Sequence, residues 1–181
     1  MNRSMGFLVA FALLGTMCGK KGQHNPEACN GDTRRDVKLM QDVRWALVDT
    51  VPVQATIQEI GGIVVPEVKS ETGRQDVELK TYTVTGYVEE VDRKRDGDYH
   101  ILLKSGEDYL ICEVPNPDCD YAASSPYNAV FRNLYELLES ENLEGRYATV
   151  TGIAFIDIDH HYSRKQAPNN MELHPVIAIS Y

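Results

Sequence analysis

The sequence predicts a mostly β protein with one helix, whose main domain is a five-stranded Greek-key barrel with the element order β-β-β-α-β-β. Two observations carry this prediction. Within residues 77–181, three strand-like segments precede one helix-like segment, and two more strand-like segments follow it. The first and fourth strands are long and contain Gly86 and Gly152, as expected where a long strand bends or bulges. A helix between the third and fourth strands is typical of an OB-type barrel; an open antiparallel α+β sheet is the alternative.

Five segments have the composition of β-strands. Val, Tyr and Thr, which favour strands, dominate the first segment, and turn sequences at Arg95–Asp98 and Ser105–Glu107 separate the first three. The predicted strands are Val77–Val91, Tyr99–Lys104, Asp108–Val114, Tyr147–Ile158 and Glu172–Tyr181.

After the third strand the hydrophobic period changes from two residues to 3.6, which predicts a helix. Ser125 and Pro126 predict an N-cap followed by proline at the first helical position. The helix is expected to end before Gly145. Its apolar face consists of Tyr127, Val130, Phe131, Leu134, Leu137 and Leu138.

Residues 1–17 predict a secretory signal peptide. Arg3 supplies a positive charge, and Met5–Gly15 is an uncharged, mostly apolar run that is too short to span a bilayer. We therefore expect an exported protein of the periplasm or cell envelope. Cys18 follows the signal directly, as in a lipid-anchored bacterial lipoprotein. An ordinary signal cleaved nearby, with Cys18 incidental, is the alternative.

Residues 18–76 are predicted to form a tether and a small extension that packs on the barrel. Within this region, Asp42–Val51 reads as a short strand, and Thr56 is placed to cap a small helix. If Cys18 is acylated or removed, Cys29 and Cys119 remain in loop-like contexts, and an oxidising compartment would let them form a disulfide.

Negative charge is concentrated in the predicted barrel. Residues 1–77 carry nine basic and nine acidic side chains, whereas residues 78–181 carry nine basic and 18 acidic ones, so the whole chain has a net charge of −9. Single-stranded nucleic acids bind to basic grooves with aromatic platforms, and this charge argues against such a partner. Contact with a membrane is expected only through the N-terminal lipid anchor.

Several segments resemble motifs of a family of exported bacterial proteins with OB-type barrels. Asp96–His100 resembles the family's DxDYH turn and strand, Cys112–Cys119 its IPDPxC strand end, and Ala167–Val176 its APNGxELHPV loop and strand. Val37–Asp42 resembles its VKxxxD stretch. The resemblance covers about residues 29–181. It implies the same barrel and no particular activity or ligand.

Histidines beside carboxylates at the predicted strand ends form the candidate site. Residues two apart on a strand share a face, and neutral imidazole with carboxylate oxygens suits zinc or another divalent ion. The alternative is that these groups only satisfy turn amides at the rim of the barrel. The candidate binding or metal-ligating residues are Asp98, His100, Asp157, His160, Glu172 and His174.

The sequence contains no familiar catalytic motif, so no catalytic residue is assigned. We expect a binding protein rather than an enzyme, with a small ligand, a glycan or a protein as its partner and no obligatory cofactor. The expected binding face consists of the second and third strands, the Asp96 turn and the 160–165 loop. A metal-dependent hydrolase that uses the same rim and a protein that binds single-stranded nucleic acid are the alternatives.

Overall fold

A computed structural model describes residues 29, 31, 33–159 and 164–181. The expected signal peptide (residues 1–17), Cys18 and His160 lie outside the described residues. The central unit is a barrel of five strands, and an additional strand, β1 (Asp49–Gln54), lies at its edge. The barrel strands are β2 (Lys80–Arg93), β3 (Tyr99–Ser105), β4 (Asp108–Val114), β5 (Tyr147–Ile156) and β6 (Met171–Ser180).

The strand pairing closes the barrel. β2 pairs antiparallel with both β3 and β5, β3 with β4, and β5 with β6. A short parallel pairing between β4 and β6 completes the ring through Ile111–Glu172 and Cys112–Leu173. The OB-type barrel predicted from the sequence is therefore confirmed.

Gly152 allows two strands to approach each other closely. A Cβ atom at this position of β5 would lie 2.8 Å from the Leu173 Cβ and 3.1 Å from the Pro175 carbonyl oxygen. The pairing of β5 with β6 shifts register on either side of Gly152. The bend expected in the long fourth strand is therefore made at this glycine, where no side chain keeps the two backbones apart.

The main helix, α3 (Asn128–Ser140), begins later than the sequence predicts. Ser125 is not its N-cap: the Ser125 hydroxyl donates a hydrogen bond to the Leu39 carbonyl oxygen at 2.7 Å and accepts one from the Tyr127 N–H at 3.1 Å. The side chain thus joins the N-terminal region to the start of the helix. The buried face of α3 consists of Phe131, Leu134, Tyr135 and Leu138.

The region before the barrel contains two short helices, α1 (Arg35–Lys38) and α2 (Ile57–Gly61), besides β1. Strand β1 starts seven residues after the predicted start at Asp42, since the Asp42 carboxylate accepts a hydrogen bond from the Arg44 N–H and forms an ion pair with Arg74 at 2.8 Å. Thr56 caps α2 as predicted. Short 3-10 helices occur at Trp45–Leu47, Asp76–Leu79 and Asp120–Ala122.

A disulfide and a buried ion pair hold the start of the described chain against the barrel. Cys29 is bonded to Cys119, with their Cα atoms 5.6 Å apart. The Arg34 guanidinium forms a two-pronged contact with the Glu78 carboxylate at 2.8 and 2.6 Å, and both side chains are fully buried. Within the described residues, no helix is both long and apolar enough to cross a membrane.

Candidate functional site

A cavity of about 690 Å³ lies on the outer face of β3 and β4, beneath the segment that contains α1. On β3, Ile101 and Leu103 belong to the barrel core, whereas His100 and Leu102 alternate with them and line the cavity. Its volume falls within the range of about 300–1,000 Å³ that is typical of small-ligand sites. Charged side chains that line it include Arg35, Lys38, Lys94, Asp96, Asp98, Glu113, Asp157, Arg164 and Lys165.

Asp98 and Glu113 line the floor of this cavity, and His174 lies directly behind them. His174 is completely buried, and its Nδ1 lies 2.7 Å from Oε2 of Glu113, while its Nε2 lies 3.8 Å from Oδ2 of Asp98. The other oxygen of Asp98 accepts a hydrogen bond from the Asn116 N–H at 2.8 Å. These contacts bring residues from the β2–β3 turn, β4 and β6 to one point.

His100 approaches the same carboxylate from β3. Its Nε2 lies 3.8 Å from Oε1 of Glu113, and its buried Nδ1 has no hydrogen-bond partner within the described residues. Glu113 is therefore placed between two imidazoles.

Asp157 and Glu172 form a second acidic pair beside this group. Arg164 joins them, with one guanidinium nitrogen 2.8 Å from Oδ2 of Asp157 and 3.1 Å from Oε1 of Glu172. Glu172 is almost wholly buried. The Arg164 charge therefore serves two carboxylates at once.

The ammonium group of Lys38, in α1, interacts electrostatically with all of these carboxylates. Burial on its own would lower the pKa of Lys38, but Glu113, Glu172, Asp157 and Asp98 outweigh burial and raise its pKa above the ordinary value. Its ammonium group also lies 5.3 Å from the centre of the Phe155 ring. The direction of the pKa change shows that the cavity floor has a negative field.

The other titratable groups at the floor respond to burial and to one another. Burial, with Asp96 and Glu113 nearby, raises the pKa of Asp98 well above its usual value. Burial likewise raises the pKa of Glu172, reinforced by Glu113 and Asp157. It lowers the pKa of His100 to about 4 and also lowers the pKa of His174. Both histidines are therefore neutral at pH 7, with nitrogen lone pairs that can bind a cation.

Asp98, Glu113 and His174 could hold a metal ion. Each of these residues offers a ligand atom, and the three atoms all lie within 4.8 Å of one another. One imidazole nitrogen with two carboxylate oxygens is a donor set that suits zinc and related divalent ions.

The structure brings together some of the residues that the sequence singled out. Asp98, His100 and His174 surround Glu113, whereas Asp157 and Glu172 are gathered by Arg164. Sequence reasoning missed Glu113, Lys38 and Arg164. Glu113 could have been found, since it is a charged residue within the apolar run of the third predicted strand.

No protein-family model matches this chain, and no curated protein matches it. Solved structures similar to it include a protein named as an aspartyl-tRNA synthetase from Leishmania major Friedlin, with a TM-score of 0.44 and 12% identity over 73% of this chain. Another is Entamoeba histolytica asparaginyl-tRNA synthetase in complex with asparaginyl-adenylate, with a TM-score of 0.44 and 14% identity over 72% of this chain. This chain spans 21% and 23% of the lengths of those two chains.

The prediction that nucleic acid is an unlikely partner is corrected by this comparison. The similar structures are synthetases named for tRNA. The physical reason is that net charge is a sum over the whole chain. Locally, the charges are mixed, since the cavity is lined by five acidic and by five cationic side chains, the latter being Arg35, Lys38, Lys94, Arg164 and Lys165.

Proposed function

We propose that this protein is a non-enzymatic binding protein that takes a small cationic ligand into the cavity between α1 and the outer face of β3 and β4. The observation that carries the proposal is the balance of charge at the cavity floor. Among the described residues, four carboxylates meet there and two cations, Lys38 and Arg164, accompany them. The carboxylates belong to Asp98, Glu113, Asp157 and Glu172.

The geometry favours a small ligand. The floor is buried, so opposite charges attract there more strongly than at the protein surface. Several rim cations already have acidic partners: Lys94 lies 2.9 Å from the Asp92 carboxylate, and Lys165 forms an ion pair with Glu89. The acidic excess therefore lies deep in the cavity, where only a compact cation reaches it.

Thermal melting with small amines tests this proposal. Putrescine and arginine methyl ester are the probes, and sodium succinate is the anionic control. We expect the amines to raise the melting temperature in a saturable way, since a ligand that binds only the folded state stabilises it. Glu113→Gln should weaken this effect, whereas Glu107→Gln, a change at an exposed residue of the β3–β4 turn, should leave it unchanged. Equal responses of the two variants would contradict the proposal.

We also propose that the protein is exported. Arg3 and the apolar run Met5–Gly15 support this proposal, and the Cys29–Cys119 disulfide fits an oxidising compartment. Mass spectrometry of the protein from its native cells tests it. Loss of about the first 17 residues is the expected result, and an increase in mass on Cys18 would identify a lipid anchor. A reduced protein that retains Met1 would exclude export.

Single-stranded nucleic acid is the second candidate ligand. The observation in its favour is the set of five cationic side chains that line the cavity, because the corresponding face of OB-type barrels binds oligonucleotides. Fluorescence anisotropy with labelled single-stranded DNA and RNA provides the test. Binding that weakens steeply with salt, together with no response to amines, would favour nucleic acid over the cationic ligand.

A further inference from the structure

We infer that Asp98, Glu113 and His174 bind a divalent metal ion at the floor of the cavity. This inference rests on the proposed function and deepens it, because it names the cation as a metal ion and assigns its ligands. The three residues come from the β2–β3 turn, β4 and β6, so the site exists only in the closed barrel.

The ligand atoms have the spacing that a metal ion needs. All three lie within 4.8 Å of one another, and Nε2 of His174 is 3.8 Å from Oδ2 of Asp98. Two ligands about 2.1 Å from a tetrahedral zinc ion lie about 3.4 Å apart. A small movement of these side chains therefore closes the site around the ion, and the cavity leaves room for water as a further ligand.

The unmet hydrogen-bonding capacity of His174 is the second, independent observation. His174 is 0% exposed; its Nδ1 lies 2.7 Å from Oε2 of Glu113, whereas its Nε2 has no hydrogen-bond partner among the described residues. Buried polar groups in native proteins nearly always have a partner. A metal ion bound to His174 would supply one. His100 Nδ1, which is also buried and unpartnered within the described residues, borders the same place.

The surrounding groups fix the proposed ligands in place. The Asn116 N–H holds one oxygen of Asp98 and leaves the other directed towards His174. Glu113 contacts His174 at 2.7 Å and has His100 on its other side. Asn116 and His100 are thus outer groups, which contact the proposed ligands. At known metal sites such groups orient the ligands and strongly affect the affinity for the metal.

The ammonium group of Lys38 competes with the metal ion for the negative charge of the carboxylates. Its ammonium group lies in the field of the same carboxylates, so it offsets part of their charge when no metal is bound. Replacement by methionine keeps most of the side chain's length and removes this charge. Lys38→Met should therefore bind the metal ion several-fold more tightly than the wild type.

Isothermal titration calorimetry of the chelator-treated full chain with zinc chloride, and separately with manganese chloride, tests the inference. We expect one ion per chain. His174→Ala and Asp98→Asn should each weaken binding by about 100-fold or more, the upper end of what loss of a single outer group costs at known sites. Glu107→Gln should bind as the wild type does. Circular dichroism of each variant confirms that it is folded, and Asp98→Asn, which changes no volume, serves if His174→Ala does not fold.

The possible outcomes separate this inference from the proposed function. Saturable binding of putrescine without stoichiometric metal binding would overturn the metal site and leave the proposed function standing. Metal binding that survives both Asp98→Asn and His174→Ala would overturn the ligand assignment. If Lys38→Met bound the metal ion with the same affinity as the wild type, the ion would lie away from the cavity floor. This result would also overturn the ligand assignment. Failure of both metal and amine to bind would overturn both proposals.

Discussion

Arg34 is a buried arginine with a left-handed backbone, at φ 51°. Its guanidinium contacts both oxygens of Glu78 and donates hydrogen bonds to carbonyl oxygens of Thr72, Gly73 and Ile156. The Glu78 carboxylate in turn accepts from the N–H groups of Gln75 and Ile156. One side chain thereby joins the start of α1, the loop before β2 and the end of β5.

Arg34→Met should destabilise the protein by about 3–5 kcal/mol, because it leaves the Glu78 carboxylate buried without its counter-ion. Urea unfolding followed by circular dichroism measures this loss. The double variant Arg34→Met with Glu78→Gln should recover part of it, since the amide is neutral and still presents an oxygen to the Ile156 N–H. If the two changes were simply additive, the buried charge would not be the cause of the loss.

Single residues also show where sequence reasoning stops. Asp98, His100 and His174 could be singled out because a strand places residues two apart on one face. Lys38 could not, since it lies in a short helix that follows no clear hydrophobic period and reaches the cavity only through long-range packing. Arg164 follows β5 in a loop, and no local pattern indicates which carboxylates a loop residue will contact.

At the scale of elements, strands β5 and β6 depend on Gly152. Gly152→Ala would place a Cβ atom 2.8 Å from Leu173 Cβ, closer than such atoms approach in real proteins. We expect a loss of about 1–3 kcal/mol in the free energy of unfolding, because the added methyl group forces a backbone shift at a buried position.

Thermal melting of Gly152→Ala beside Gly73→Ala measures this effect. Gly73 has no atom within 4 Å of the position that a Cβ would occupy, so its substitution should leave the melting temperature nearly unchanged. A melting temperature for Gly152→Ala equal to that of Gly73→Ala would show that β6 moves away at little cost.

The presence of the helices and strands can be predicted from local sequence patterns, whereas the residues at which they begin and end cannot. The 3.6-residue hydrophobic period correctly predicted the presence of α3, because the apolar face of this helix packs on the barrel. Its start was predicted too early, since Ser125 and Pro126 have the residue types of a helix start but here form the preceding turn. Whether a serine caps a helix or bonds a distant carbonyl group depends on tertiary contacts that no short segment contains.

At the scale of the whole molecule, the Cys29–Cys119 disulfide joins positions 90 residues apart. Cys29→Ala combined with Cys119→Ala should lower the free energy of unfolding by about 4 kcal/mol, because the unfolded chain regains the freedom that this long loop loses. Urea unfolding of the oxidised wild type and of the double variant gives the difference. A difference below 1 kcal/mol would mean that the cross-link does not restrict the unfolded chain.

Thiol counting in a Cys18→Ser background provides the control for the disulfide experiment. Cys112 is the free cysteine among the described residues, it is buried, and burial raises the pKa of its thiol. The folded, oxidised protein should therefore react with no thiol reagent, and one thiol should react after unfolding. Three reactive thiols after unfolding would show that the disulfide had not formed.

The barrel could be predicted from the sequence, whereas the cavity could not. Strand order, the single helix and the two glycines are encoded in local patterns and define the topology. The cavity requires α1 to lie over β3 and β4, and that placement depends on the disulfide and on the ion pair of Arg34 with Glu78. These contacts join residues far apart in the chain.

Because those contacts join residues that are far apart in the sequence, they affect the order in which the protein folds during its synthesis on the ribosome. Lys38 lines the cavity and His174 lies behind Glu113 in its floor, so the segment that contains Lys38 leaves the ribosome well over a hundred residues before His174. At about 5–20 residues per second, that delay is on the order of 10 s. The hydrogen bond from Arg34 to Ile156 joins residues 122 positions apart, so it can form only after a delay of almost the same length. The cavity can therefore form only after β6 has been synthesised, and a ligand can stabilise it only from then on.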